Sequence, residues 1–201
     1  MNFYVLNVKT QQERKIMWRD FRENILFAWK YVCHPLRNAS VTPSSARAAE
    51  AMVAGIDFSD IHTIFELGPG TGVFTKRILK YCRQDTKVVL VEIDPKYAAL
   101  LQERFGDRVL VEQTSVADLE ALVAKHGGKV DLIISGLPVV IPGVTEKLLR
   151  VIKKCTDEGT IYRFFSYVPF LVRQVYKGLP VRKVSPCVLL NVPPLWVFEM
   201  H

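Results

Sequence analysis

The sequence lacks most features of membrane-spanning, secreted or metal-binding proteins. No apolar run is long enough to cross a bilayer, and the start MNFYVLNVKTQQERK lacks the charged beginning and long apolar core of a signal peptide. The four cysteines form no CxxC pair and the four histidines are dispersed, so we expect free thiols and no zinc or other metal site. We therefore expect a cytoplasmic protein without a membrane span.

Charge is distributed unevenly along the chain. The 201 residues carry a net charge of +7. Residues 1–37 contain 7 basic and 3 acidic residues, residues 38–143 contain 11 and 13, and residues 144–201 contain 9 and 4. Either basic flank alone is explained by solubility, but together they suggest an anionic partner, either nucleic acid or an anionic membrane surface.

Apolar strand-like runs alternate with segments of helical periodicity, which predicts a parallel sheet with helices on both faces. The predicted strands are 63–68, 87–94, 108–113, 130–135, 160–167, 181–191 and 195–200. The predicted helices between them are 73–82, 95–105, 116–127, 144–155 and 170–179. Because the last two strands can pair antiparallel, the layout resembles the Rossmann-like α/β fold of Class I methyltransferases, with a seven-stranded, mostly parallel sheet.

The stretch FELGPGTGVF follows the first strand and opens the first helix. Its spacing is GxGxG, whereas a dinucleotide fingerprint is GxGxxG, and a carboxylate, Glu66, precedes it. A carboxylate disfavours a pyrophosphate but suits the sulfonium and ammonium groups of S-adenosylmethionine. Glu92, at the end of the second strand, can accept both ribose hydroxyls. The predicted cofactor residues are Glu66, Gly68, Pro69, Gly70, Thr71, Gly72, Glu92, Ile93, Ser115, Val116 and Ser135.

Five stretches carry a family resemblance over residues 36–200. They are LRNASVTPSSARAAEAMV, ELGPGTGVFTKRIL, VEIDP, DLIISGLP and NVPPLWVF. They resemble the bacterial phospholipid N-methyltransferases, within the wider group that includes the ribosomal RNA adenine dimethylases. The resemblance implies S-adenosylmethionine as methyl donor and phosphatidylethanolamine or its methylated forms as acceptor, towards phosphatidylcholine. One position departs from the family, because Ser115 replaces the usual aspartate that contacts adenine.

The acceptor side is expected around SGLP, residues 135–138. There Ser135 replaces the asparagine of amino-methyltransferases that act on nucleic acids, and no aromatic residue follows Pro138. A flipped base would lack its stacking partner, whereas an aliphatic amine needs mainly alignment and a route for its proton. Tyr167 can accept that proton, contact the head-group phosphate or serve as a core tyrosine. Arg163 and Arg173 are phosphate candidates, although each is more simply a surface residue.

The amino-terminal segment 14–37 has an apolar stripe at helical spacing, including Trp18, Phe21 and Trp29, with basic neighbours such as Arg19 and Arg22. This pattern is typical of an interfacial membrane helix, although a helix packed on its own domain is the commoner case. The resemblance favours the membrane and adds Ser44 and Ser45 of TPSS to the substrate side. We therefore expect an amphipathic extension at 1–37 and a methyltransferase domain at 38–201. The expected location is peripheral, on the inner face of the cell membrane.

Two other functions stay open. An RNA adenine N6-methyltransferase would also use the basic flanks, but it predicts an aromatic residue after SGLP and an additional carboxyl-terminal helical domain, and the printed sequence shows neither. A non-catalytic binder that retains a cofactor pocket is the second, and Ser115 is its best support. Nucleic acid is therefore a less favoured partner, and the sequence leaves the oligomeric state open.

Overall fold

The computed structural model describes residues 43–185, 188 and 194–201, with side chains from residue 46 onward. The strands are β1 (Thr63–Leu67), β2 (Lys87–Val91), β3 (Leu110–Glu112), β4 (Leu132–Ser135), β5 (Ile161–Ser166), β6 (Arg182–Lys183) and β7 (Trp196–Met200). The helices are α1 (Pro43–Val53), α2 (Val73–Tyr81), α3 (Pro95–Phe105), α4 (Leu119–Lys125), α5 (Thr145–Asp157) and α6 (Pro169–Val175). No helix in these described ranges is long and apolar enough to cross a membrane.

The strands form one seven-stranded sheet in the order β3-β2-β1-β4-β5-β7-β6. Strands β1 to β5 pair in parallel, while β7 runs antiparallel to both β5 and β6. The predicted α/β architecture with an antiparallel last strand is therefore confirmed. The order reverses direction between β1 and β4, and such a switch point opens a crevice beyond the carboxyl ends of the strands.

Helices cover both faces of the sheet, which explains why its central strands are apolar without alternation. Phe65 and Leu67 of β1 pack into one core, together with residues of α4, α5 and α6. Ile64 packs into the other core, together with residues of α1, α2 and α3. Consecutive side chains of one strand thus enter opposite cores, and both must be apolar.

Several predicted boundaries differ from the structure. The second strand ends at Val91 instead of residue 94, because Asp94 caps α3 by accepting a hydrogen bond from the Lys96 N–H at 2.8 Å. The helix predicted at 116–127 is a 3-10 turn at Val116–Asp118 followed by α4. Helix α1 was not among the predicted elements.

Other predictions fall partly or wholly outside the described residues. Of the strand predicted at 181–191, the structure describes β6 and a single bridge between Val188 and Leu195, while residues 186–187 and 189–193 lie outside. The amphipathic helix at 14–37 and the domain border at 37/38 also lie outside.

The interpretation of Arg163 as a surface residue is wrong. Its side chain is buried, and its Nε donates to Glu199 Oε2 of β7 at 2.6 Å. Its Nη1 donates to the carbonyl oxygens of Met52 and Ala54 at the end of α1. A buried cation requires such partners, and here they join α1 to the sheet.

Candidate functional site

The three glycines of the loop after β1 have positive φ angles of 67°, 55° and 77° at Gly68, Gly70 and Gly72, a region that side chains disfavour. A Cβ at Gly68 would lie 2.5 Å from Leu137 Cδ2, and one at Gly72 would lie 2.5 Å from Phe105 Cε2. A Cβ at Gly70 would meet nothing within 4 Å among the described residues. Gly68 and Gly72 thus allow close packing, whereas Gly70 borders open space.

Hydrogen bonds fix this loop against β2 and α3. The Gly70 N–H donates to Glu92 Oε2 at 3.0 Å, and Arg104 Nη1 donates to the Thr71 carbonyl oxygen at 2.6 Å. Glu92 Oε1 accepts from the Asp94 N–H at 3.0 Å. Each Glu92 oxygen keeps a second lone pair, so the carboxylate can still accept from two hydroxyls such as those of a ribose.

Glu66 is fully buried directly before the loop. Its Oε2 accepts a hydrogen bond from Thr75 Oγ1 of α2 at 2.7 Å, while its Oε1 has no partner among the described residues. Burial raises the pKa of Glu66 to about 8, and the nearby charge of Glu92 adds to the increase. An unpaired buried carboxyl oxygen is costly unless a ligand completes it. A cationic ligand such as S-adenosylmethionine fits this position.

The residues predicted for the adenine lie after β2 and β3. Ile93 is 69% exposed, which is unusual for a large aliphatic side chain and leaves an apolar surface beside Glu92. Ser115 Oγ accepts from the Ala117 N–H at 3.2 Å and so caps the 3-10 turn that begins at Val116. The hydroxyl keeps its proton and one lone pair for another partner.

Ser135 ends β4 and is almost fully buried, at 2% exposure. Its Oγ accepts from the Leu137 N–H at 3.3 Å, and Ser135 lines the same recess as Tyr162. The Tyr162 hydroxyl lies 3.0 Å from that of Tyr176. Burial raises the pKa of Tyr162 to about 12 and that of Tyr176 well above 10. Both tyrosines therefore stay neutral, and their hydroxyl groups line the recess beside Ser135.

The hydroxyl groups of Ser135, Tyr162 and Tyr176 line a small recess beside the SGLP segment. The rest of its wall is mainly aliphatic and includes Leu137, Pro138, Val139 and Ile141. No aromatic ring follows Pro138 in this wall, because the next residues are Val139 and Val140. Ser135 therefore lies beside hydroxyl groups, aliphatic side chains and the buried rings of Tyr162, Phe164 and Tyr176.

The two residues predicted to be catalytic lie at the carboxyl ends of adjacent strands but on opposite faces of the sheet. Ser135 pairs in register with Phe164 of β5 and shares its face with Tyr162. Tyr167 follows β5 and packs on the opposite face, with its ring edge-on to Phe165 at 5.4 Å between centroids. The structure therefore brings both residues to the same edge of the sheet without joining them directly.

The remaining predicted substrate residues are less informative. Arg173 is exposed on α6. Ser44 and Ser45 belong to the first turn of α1, and their side chains lie outside the description. The membrane-helix candidates lie outside the described residues, namely Trp18, Arg19, Phe21, Arg22 and Trp29.

Sequence reasoning missed two contributors to the site. Thr75 holds Glu66, yet a threonine nine residues after a glutamate carries no recognisable signal. A Cβ at Gly136 would lie 2.6 Å from the Gly68 carbonyl oxygen, so the chain after β4 touches the loop after β1 directly. The glycine of SGLP was the available signal for this second contact.

Comparison with known proteins assigns the chain to a family. The ribosomal RNA adenine dimethylase family model matches residues 44–126. An ornithine lipid N-methyltransferase from Singulisphaera acidiphila is 31% identical over 161 residues, covering 78% of this chain and 84% of that protein. The chain belongs to the rRNA adenine dimethylase-like family of S-adenosylmethionine-dependent methyltransferases. This methyltransferase is also 32% identical to ribosomal RNA small subunit methyltransferase A from Nostoc sp. over 149 residues, covering 70% of the chain and 52% of that protein.

Solved structures give the same fold. The Bacillus cereus O-methyltransferase, in complex with S-adenosylhomocysteine, superposes with a TM-score of 0.61 and 14% identity, covering 98% of this chain and 94% of that one. The N-methyltransferase NodS from Bradyrhizobium japonicum superposes with a TM-score of 0.60 and 11% identity, covering 88% and 97%. The cofactor of this methyltransferase is S-adenosylmethionine.

Proposed function

We propose that this methyltransferase transfers methyl groups to the amine head group of membrane lipids. The proposed acceptors are phosphatidylethanolamine and its methylated forms, towards phosphatidylcholine, with ornithine lipid as the other amine lipid to consider. Both kinds of lipid present an aliphatic amine at the surface of a membrane. The proposal also assigns the predicted cofactor residues to S-adenosylmethionine and the Ser135 edge to the acceptor.

One observation carries the proposal. The match to the ornithine lipid N-methyltransferase covers 78% of this chain and 84% of that protein. In contrast, the match to the Nostoc ribosomal RNA enzyme covers 70% of this chain but only 52% of that protein, and the ribosomal RNA adenine dimethylase model matches residues 44–126, before β4 begins at Leu132. The matched part contains the glycine loop, Glu92 and Ser115, which serve the cofactor. The part beyond it contains Ser135 and Tyr167, which would distinguish one acceptor from another.

The acceptor edge supports a lipid amine. The recess beside Ser135 has mainly aliphatic walls, together with the buried rings of Tyr162, Phe164 and Tyr176, and Val139 instead of an aromatic residue follows Pro138. A base amine donates its lone pair into the ring and needs strong hydrogen-bond acceptors and a stacked ring to position it. An aliphatic amine keeps its lone pair once it is deprotonated, so alignment and exclusion of water suffice.

The residues at this edge can take separate roles in methyl transfer. S-adenosylmethionine supplies a methyl group on a positively charged sulfur atom. Ser135 is held by the Leu137 N–H and can accept a hydrogen bond from an amine. Tyr167 can receive or relay the proton that the amine loses, or contact the head-group phosphate. Neither role requires the two side chains to touch each other.

Methylation of an RNA adenine is the second candidate function. It is favoured by the 32% identity to the Nostoc enzyme, although this chain spans only about half of that protein. The aliphatic residues after Pro138 weigh against it. A non-catalytic binder has less support, because the loop keeps its glycines and Glu92 remains bonded to it.

The experiment incubates the protein with S-adenosylmethionine labelled in its methyl group. One tube receives a total-lipid extract and another receives total RNA. We expect label in the lipid fraction, in species that co-migrate with methylated phosphatidylethanolamine or ornithine lipid. Label in RNA alone would replace the proposal with the RNA function. The Gly70→Val variant is the control for background transfer, because its side chain would occupy the open space beside the loop.

A further inference from the structure

Helix α6 and the turn that follows it present an aromatic ring and two cations to solvent. Phe170 is 64% exposed, and Arg173 and Lys177 are also exposed. Phe170 and Arg173 lie three residues apart on one side of α6, and Lys177 lies in the turn just after the last helical residue, Val175. Leu171, Val172 and Tyr176 lie on the other side and are buried. We call Phe170, Arg173 and Lys177 the α6 face.

The charge around this face has one sign. Residues 160–198 contain five basic and no acidic residues. Arg163 and Arg182 both form ion pairs with Glu199. Among the described residues, Arg173 and Lys177 form no ion pair with a carboxylate. Within the described part of the chain, both cations are exposed and no carboxylate neutralises them.

The α6 face also lies near the acceptor edge. Helix α6 begins at Pro169, three residues after β5 ends. Ser166 holds the turn between them, since its Oγ accepts from the Val168 N–H at 3.0 Å and donates to the Val168 carbonyl oxygen at 3.1 Å. Phe170 is thus fixed beside the carboxyl ends of the strands, and Val168 adds an exposed aliphatic side chain next to it.

We propose that the α6 face docks on an anionic lipid bilayer, with Phe170 in the head-group boundary and Arg173 and Lys177 facing lipid phosphates. This inference rests on the proposed lipid substrate. It adds a second membrane contact to the one predicted for the amino-terminal segment. An exposed aromatic ring next to an aliphatic side chain gains free energy at the head-group boundary, and cations gain from an anionic surface. RNA would also attract the two cations, so it must be tested against the bilayer.

The test measures co-sedimentation of the full-length protein with vesicles. One set contains phosphatidylcholine with phosphatidylglycerol and the other contains phosphatidylcholine alone, each at low and high salt. Arg173→Gln/Lys177→Gln should weaken binding to anionic vesicles about 10- to 30-fold at low salt, since each cation contributes about fivefold, and much less at high salt. Phe170→Ser should weaken it about tenfold at both salt concentrations.

Matched controls lie at the opposite edge of the sheet. Lys87 begins β2 and Lys129 precedes β4, and both are exposed. Lys87→Gln/Lys129→Gln removes the same charge, and Leu110→Ser removes an exposed apolar side chain at the start of β3. These variants should bind vesicles as the wild type does. Equal losses in both sets would overturn the docking surface, as would an α6-face double variant that loses RNA binding but keeps vesicle binding.

A second measurement separates this inference from the proposed function. Phe170→Ser should methylate detergent-dispersed amine lipid as the wild type does and lose turnover only on vesicles. If the wild type methylates lipid while the variant is equally active on vesicles, the docking surface fails and the proposed function stands. If the wild type methylates RNA and no lipid, the proposed function fails whichever surface binds vesicles.

Discussion

The backbone N–H of Gly70 and the carboxylate of Glu92 are joined by a hydrogen bond of 3.0 Å. Gly70 belongs to the loop after β1 and Glu92 follows β2, so the bond links the two halves of the cofactor site. Glu92 therefore has two tasks, since it can accept hydrogen bonds from the ribose and it positions the loop. Loss of its side chain affects both.

Glu92→Ala should weaken binding of S-adenosylmethionine by roughly 2–4 kcal/mol, because charge-assisted hydrogen bonds are lost. Glu92→Gln should have a smaller effect, since its amide oxygen can keep one acceptor position. Calorimetric titration measures both affinities. Glu120→Ala, which removes an exposed carboxylate from α4, is the control. Unchanged affinity in a folded Glu92→Ala protein would remove Glu92 from the site.

Two glycines of one loop should respond differently to substitution. Gly70→Val should abolish cofactor binding in a protein that still folds, because its side chain would enter open space and only the positive φ of 55° costs stability. Gly72→Val should instead lower the midpoint of thermal unfolding, because its Cβ would overlap the ring of Phe105. Adding Phe105→Leu should recover part of that loss. Thermal unfolding with and without cofactor tests the difference, and equal instability in both single variants would contradict it.

Glu66 should make both stability and cofactor affinity depend on pH. Burial raises the pKa of Glu66 from 4.5 to about 8, so its contribution to folding is fully present below pH 4.5 and is lost as pH rises through 8. Glu66→Gln should therefore be more stable than the wild type at pH 9, by a few kcal/mol, and close to it at pH 5. The ratio of wild-type to variant affinity for the cofactor should rise with pH, because the carboxylate suits a cation.

Thermal unfolding and calorimetry at pH 5.5, 7 and 9 measure these two quantities. The ratio of affinities removes the cofactor's own titration from the comparison. Glu120→Gln is the matched control and should show neither dependence. A stability difference between wild type and Glu66→Gln that stays constant over this range would show that Glu66 does not titrate there.

The amino-terminal segment lies outside the described residues, and its role stays a prediction. Trp18→Ala/Trp29→Ala should reduce vesicle binding even at high salt, because apolar burial is insensitive to salt. Arg19→Glu/Arg22→Glu should reduce it mainly at low salt and only on anionic vesicles. Cofactor affinity should change little in either case. Wild-type protein that stays in the supernatant under every condition would contradict the membrane role.

The sequence was sufficient for the order of elements, and it singled out most residues of the candidate cofactor site. Alternation of apolar strands and helices gave the sheet, since parallel strands buried on both faces have continuous apolar runs. The glycine loop and Glu92 could be found because their chemistry depends on residues close in sequence. Strand ends such as Val91 were harder to predict, because Asp94 caps the next helix and so ends the strand early.

Long-range pairings could not be predicted. Arg163 meets Glu199 across 36 positions and the end of α1 across more than 100, so nothing local marks it as buried. The Tyr162–Tyr176 contact joins a strand to the end of a helix. It depends on how α6 packs against the sheet, which the sequence pattern does not give. The side chains of Ser135 and Tyr167 lie on opposite faces of the sheet. The face that a side chain takes depends on the register of its strand, which the sequence pattern did not fix here.

The central claim is that the acceptor is a lipid amine, and a direct competition tests it. Phosphatidylethanolamine vesicles, ornithine lipid vesicles and ribosomal RNA are mixed in one tube with the protein and limiting methyl-labelled S-adenosylmethionine. The account predicts that label enters the lipid fraction in excess over RNA, and that Gly70→Val abolishes this transfer. Label that enters RNA while both lipids stay unlabelled would contradict it.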